Sequence, residues 1–109
     1  MNYDASLLLA DTLSPVFEAR CARHADRPAY VFLKDDLSPD EQSSYGQLSV
    51  DCHRLAVRLA TLARPGDRVL LALPPGLDFV RAFWACMLAG CVAVPVPAPD
   101  PVRLLRSAP

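Results

Sequence analysis

The residues best equipped for chemistry in this sequence are two cysteine–histidine pairs. Cys21 and His24 are three positions apart within an apolar periodic segment, so a helix would place them on one face. Cys52 and His53 are adjacent, so a helix would turn them apart. Zinc needs four convergent ligands, or three and a water. A cysteine nucleophile needs a defined base and a third group to orient it. Neither pair supplies that set, and buried free thiols are the expectation for Cys21, Cys52, Cys86 and Cys91. None forms a C-x-x-C pair, and thiols of this kind suit a reducing cytoplasm.

A second candidate is the turn Pro74-Pro75-Gly76, placed between an expected strand and an expected helix. Such junctions cradle phosphate where free N–H groups and the helix dipole converge. Here there is one glycine, no G-x-G-x-x-G, no neighbouring lysine, and Asp78 adds negative charge. A structural turn is the favoured reading. Asp35, Asp36, Asp40 and Glu41 lack the spacing and glycine turn of a calcium loop and read as solvated. Trp84 with Phe79, Phe83 and Met87 could line an apolar cavity, but core packing is the commoner role of such a stripe. No catalytic, cofactor-binding or metal residue is assigned from spacing.

The elements that hold these residues read as α/β. Thr12 is the expected N-cap of a first helix, with Leu13, Val16, Phe17 and Cys21 on its apolar face and Asp26-Arg27-Pro28 ending it. Ala29 to Leu33 is a β-rich run, and Glu41 to Ser44 can return as a short partner strand. Ser44 and Gln47 have the S-x-x-Q spacing of a capping box. The helix they open carries an apolar stripe of Leu48, Cys52, Leu55, Ala56, Leu59 and Leu62.

Residues 68–73 form a continuous apolar strand after Arg68, without alternation, so both faces are expected to be buried. Residues 77–89 form a helix that is apolar almost all round, with Gly90 as its C-terminal cap and Asp78 placed to pair with Arg81. Residues 91–94 are a second buried strand. Strand, helix, strand at this spacing predicts a parallel βαβ unit preceded by two helices and a short hairpin.

The balance of the chain excludes some function classes. With 52% hydrophobic residues, a net charge of −1 and scattered Lys and Arg, it is globular and offers no basic stripe for nucleic acid. No targeting segment is evident, and the longest apolar stretch is broken by Asp78, Arg81, Gly90 and Pro95, so no membrane span is expected.

The order of elements resembles the N-terminus of the adenylate-forming (AMP-binding) ligase superfamily, most closely the fatty acyl-AMP ligases. Ser44-Tyr45-Gly46-Gln47-Leu48 is similar to the family's Thr-Tyr-x-Glu-Leu helix start. Arg64-Pro65-Gly66-Asp67-Arg68-Val69 resembles its turn into the next strand, and Asp26-Arg27-Pro28-Ala29 its opening. Leu73-Pro74-Pro75-Gly76-Leu77-Asp78-Phe79-Val80 is the most specific segment and favours the acyl-AMP branch.

The resemblance implies ATP- and Mg²⁺-dependent conversion of a fatty acid to an acyl-adenylate, with passage of the acyl group to an acyl carrier protein. The family's phosphate loop, adenine- and ribose-contacting motifs and C-terminal-domain lysine have no counterpart in these 109 residues. The expectation is therefore a fragment of a fatty acyl-AMP ligase that binds no cofactor and is inactive alone, its partner being the missing remainder of the ligase. The expected organisation is an N-terminal extension over 1–11, a partial N-terminal subdomain over 12–94, and over 95–109 a Pro-rich connection leading into an incomplete helix. A standalone non-catalytic binding module, docking on a carrier protein or a complementary ligase fragment, is the alternative.

Overall fold

A computed structural model of the chain describes residues 12–99. The expected extension over 1–11 and the helix start after residue 101 lie outside the described residues. The order is α1 (Ser14–Arg23), β1 (Pro28–Leu33), β2 (Pro39–Ser44), α2 (Tyr45–Ala60), β3 (Arg68–Leu71), α3 (Leu77–Ala89) and β4 (Val92–Pro95). β1 and β2 pair antiparallel, and β3 and β4 pair parallel around α3. The α/β reading, with its hairpin and its βαβ unit, is what the chain builds.

The first helix begins differently from expectation. Leu13, not Thr12, occupies the N-cap, and no side chain caps α1. Ser14, one residue inside, instead donates from Oγ to the Met87 carbonyl, 3.0 Å away on α3. A tertiary hydrogen bond thus replaces a local cap, and Pro15 loses nothing in a first turn whose N–H groups have no intrahelical partner.

α2 starts as the sequence predicts, but only half of the capping box forms. Ser44 Oγ accepts from the Gln47 N–H at 3.1 Å. The Gln47 side chain turns along the helix and donates to Asp51 Oδ1 at 2.9 Å rather than reaching back. Leu48 and Cys52 are fully buried, whereas Leu62, expected on the same stripe, is 86% exposed because the helix has ended at the Thr61 cap.

α3 is the centre of the molecule. Val80 joins Phe17, Cys21, Leu48 and Cys52 on one side, and Cys86 joins Leu71 and Cys91 on the other. A helix flanked by two cores has no polar face to spare, which explains its nearly all-round apolar sequence. It closes as predicted. Gly90 is left-handed at φ 74°, its N–H donates to the Met87 carbonyl, and the Cys91 N–H donates to the Cys86 carbonyl at 2.9 Å. These are the paired bonds of a Schellman turn, and Cys86 and Cys91 belong to one core cluster beneath it.

The parallel pair departs from expectation in length and in burial. β3 ends at Leu71 rather than residue 73, and β4 runs over 92–95 rather than 91–94, with Leu71 opposite Pro95. Val96 N–H extends the ladder to the Leu71 carbonyl at 3.2 Å. Leu71 is buried, but Leu70 is 68% and Val92 48% exposed. Both faces of a parallel sheet are buried only when each carries a layer. Among the described residues, α3 supplies one layer and nothing supplies the other.

Candidate functional site

The turn before α3, read from the sequence as structural rather than as an anion cradle, has acidic surroundings. Gly76 caps α3 without a side-chain hydrogen bond, and Asp78 lies in the first turn. A Cβ at Gly76 would stand 2.9 Å from Glu41 Oε1, so β2 brings a second carboxylate to this helix end. Two carboxylates at a positive helix terminus already complement its dipole. Asp78 is further engaged by Arg81, whose Nη1 donates to Asp78 Oδ1 at 3.2 Å while its Nε donates to Asp51 Oδ2 at 3.2 Å. The predicted Asp78–Arg81 pair therefore forms, and Asp51 of α2 completes it.

The carboxylates of Glu41 and Asp78 oppose a phosphate at this turn. Among the described residues no three His, Cys, Asp or Glu side chains converge as metal ligands. Cys21 and His24 do not act together: Cys21 is buried in the core, while the His24 ring lies 6.2 Å from that of Tyr45. Partial burial, then the charges of Arg27, Arg20 and Arg23, push the His24 pKa down. Cys52 and His53 diverge as predicted. Burial pushes the Cys52 thiol up to about 12, and Cys21 is raised for the same reason. Both stay protonated at neutral pH, which leaves them poor nucleophiles.

His53 joins a network that its sequence neighbourhood only half revealed. Nδ1 is 2.7 Å from the Ser49 carbonyl oxygen and Nε2 is 3.1 Å from Glu18 Oε1 on α1. Both partners accept, so both contacts are hydrogen bonds only when the ring carries a proton on each nitrogen. The Ser49 carbonyl and then Glu18 raise its pKa accordingly. Ser49 Oγ is also 3.4 Å from Nδ1. A Ser–His–Glu grouping invites comparison with a hydrolase triad, but Nδ1 gives its proton to the carbonyl and has no lone pair for the hydroxyl. The arrangement staples α1 to α2. The Ser49–His53 spacing of four was readable in the sequence, whereas Glu18, 35 residues away, carried no signal.

Trp84 lines a small apolar cavity of about 230 Å³, but with partners other than those expected. Its ring stacks on Phe17, and its Nε1 donates to the Tyr30 hydroxyl at 3.2 Å. Phe79 and Phe83 pack toward the Leu71–Cys86–Cys91 core, with the Phe83 ring edge-on to Trp84 at 5.4 Å but not lining the cavity. The acidic loop is structural at one position: Asp36 Oδ1 accepts from both the N–H and the Oγ of Ser38, which lowers the Asp36 pKa.

The larger open groove lies where α2 meets α3, and sequence reasoning did not single it out. It is lined by Asp51, Arg54, Leu55, Val57, Arg58 and Arg81. None of the described helices is long and apolar enough to cross a membrane.

Comparison with known proteins places this architecture. The chain is 37% identical over 98 residues to the medium-chain-fatty-acid–[acyl-carrier-protein] ligase JamA of Moorena producens, covering 90% of this chain and 17% of that protein. It superposes on a crystal structure of a fatty acyl-adenylate ligase from L. pneumophila with a TM-score of 0.79 and 34% identity, covering 90% of this chain and 17% of that one. The N-terminal subdomain of Klebsiella oxytoca NpsA matches with a TM-score of 0.74 and 25% identity, over 95% of this chain and 26% of that one. The chain thus spans less than a fifth of the curated relative and of the acyl-adenylate ligase. The sequence pattern of the AMP-binding enzyme family matches residues 17–103, and the chain belongs to that family, with fatty acyl-AMP ligases among its relatives.

Proposed function

We propose that this chain forms the opening part of a fatty acyl-AMP ligase fold and serves as its scaffold rather than its chemistry. The complete fold would use ATP and Mg²⁺ to activate a fatty acid as an acyl-adenylate for transfer to an acyl carrier protein, in the cytoplasm. Residues 12–94 act as part of the N-terminal subdomain, and residues 95–109 as a connection toward the rest.

The observation that carries this reading is the bare outer face of the β3–β4 pair. Leu70 and Val92 are presented there, while Leu71 on the opposite face is buried with Val69 and Ala93 packed beside it. A two-stranded parallel sheet needs a layer on that side. The remainder of a ligase fold is the natural layer for a chain that covers 17% of its relative. The family's phosphate loop and adenine-contacting motifs have no counterpart in these residues, so the chain is expected to be inactive by itself.

A chimera tests this. The segment of JamA that matches this chain is replaced by this chain, and fatty-acid-dependent exchange of radiolabelled pyrophosphate into ATP is measured. The chimera is expected to exchange above background while the 109-residue chain alone does not. A folded chimera without exchange, or exchange by the chain alone, would overturn the reading.

One observation favours a second reading, a non-catalytic docking module: Arg54 and Arg58 line the groove beside α3, and their guanidinium groups have no partner among the described residues.

A further inference from the structure

We propose that the groove where α2 meets α3 docks an acidic amphipathic helix of a partner protein. The proposal rests on the docking reading above and names the kind of partner; it does not require that the chain work within a ligase.

The first support is charge. Arg54 and Arg58 are one turn apart on α2, and neither guanidinium has a hydrogen-bond or ion-pair partner among the described residues. Like charges at that spacing disfavour a helix, and nothing described offsets the repulsion. Arg81 is already paired with Asp51 and Asp78, so the uncompensated charge of the groove is that of Arg54 and Arg58. Asp51 is the one carboxylate lining the groove, and it is already engaged. The positive charge is local, since the chain as a whole is −1.

The second support is apolar surface in register with that charge. Val57 is 69% and Val50 45% exposed, seven residues apart and hence on one face of α2, with Arg54 between them. An exposed valine flanked by arginines is the complement of a helix that presents an apolar ridge edged with carboxylates. Arginine is also the cation best suited to pair with carboxylates at an interface. The interleaved valines and Asp51 argue against nucleic acid, which asks for a continuous cationic track. At about 830 Å³ the groove is open and broad, suited to a helix lying along it rather than to an enclosed small molecule.

The test is binding of the 109-residue chain to a fluorescein-labelled synthetic helical peptide with Leu at heptad positions a and d and Glu at e and g. The controls are the same peptide with Lys for Glu, and an oligothymidylate. Saturable binding of the Glu peptide is expected. It should weaken at least about tenfold in the Arg54→Glu/Arg58→Glu variant and with added salt, and persist in Arg54→Lys/Arg58→Lys. Val57→Ala should weaken it several-fold. Circular dichroism confirms that each variant is folded, which exposed, unpaired positions should permit. Absence of saturable binding, equal binding of the Lys peptide, tighter binding of oligothymidylate, or indifference to charge reversal would each overturn the proposal. So would a loss of fold on charge reversal, since the face would then be internal.

Discussion

The rings of Phe17 and Trp84 stack 4.4 Å apart with an interplanar angle of 11°, joining α1 to α3 across the core. Trp84 is the sole tryptophan of the chain, so its emission reports whether α1 is docked. Phe17 is buried, and Phe17→Ala is expected to cost about 3–5 kcal/mol, a large share of the ~5–15 kcal/mol that stabilises an ordinary domain. A red-shifted Trp84 emission and a lower urea midpoint should accompany it. Unchanged emission and midpoint would show that α1 is held by other contacts.

The His53–Glu18 contact should make stability depend on pH. The folded-state pKa of His53 is raised above the ordinary 6.5, so its contribution is fully present below that value and is lost as pH rises through the folded value. Both side chains are about half exposed, so the effect stays within about 1 kcal/mol. Glu18→Gln should move the His53 titration, followed by NMR, back toward 6.5 and flatten the stability profile above it. A His53 titration identical in the variant would mean the contact is not formed in solution.

Gly90 at φ 74° closes α3 in a conformation that side chains disfavour. An added Cβ would meet only Pro65 Cβ at 3.5 Å, an ordinary contact, so any penalty comes from the backbone. Gly90→Ala should therefore cost roughly 1–2 kcal/mol and lower Tm by several degrees. Thermal unfolding of the two proteins decides this, and equal Tm values would contradict the Schellman geometry.

Local signals were the ones the sequence revealed correctly. Gly90 after an apolar run, Ser44 three residues before Gln47, and Asp78 three before Arg81 all act within a turn or two, and all formed as read or in half. Tertiary competition was not visible. Ser14 bonds to Met87 and Glu18 reaches His53 because α1 folds onto α3 and α2, which no spacing discloses. Leu62 continues the apolar stripe of α2 but falls beyond its Thr61 cap, and Leu70 sits in an unbroken apolar run whose outer face has no layer among the described residues. The turn before α3 was legible as a turn, while Glu41 beside it comes from a strand 35 positions earlier.

All four cysteines are free and buried, and Cys52 is held at about 12 by its burial. The native chain should therefore resist thiol reagents at pH 8, where a free cysteine with an ordinary pKa near ~8.5 reacts readily. Labelling with iodoacetamide, read by mass spectrometry, should give almost no adduct natively and four after denaturation, matching the four cysteines. Rapid native modification of Cys52 would show that the Phe17–Leu48 core opens easily.

Leu70 separates the scaffold role from mere surface decoration. It points away from α3 and is 68% exposed, so Leu70→Asp in the isolated chain should shift stability by less than about 0.5 kcal/mol and should reduce self-association. In the ligase chimera the same face is expected to lie under another layer, where an unpaired carboxylate costs several kcal/mol. The variant should then fold poorly or lose pyrophosphate exchange. Sedimentation and urea unfolding of the isolated chain, set beside exchange by the chimera, give the comparison. A substitution silent in both settings would leave the outer face of β3–β4 uncovered in the complete fold, and the scaffold reading would fail with it.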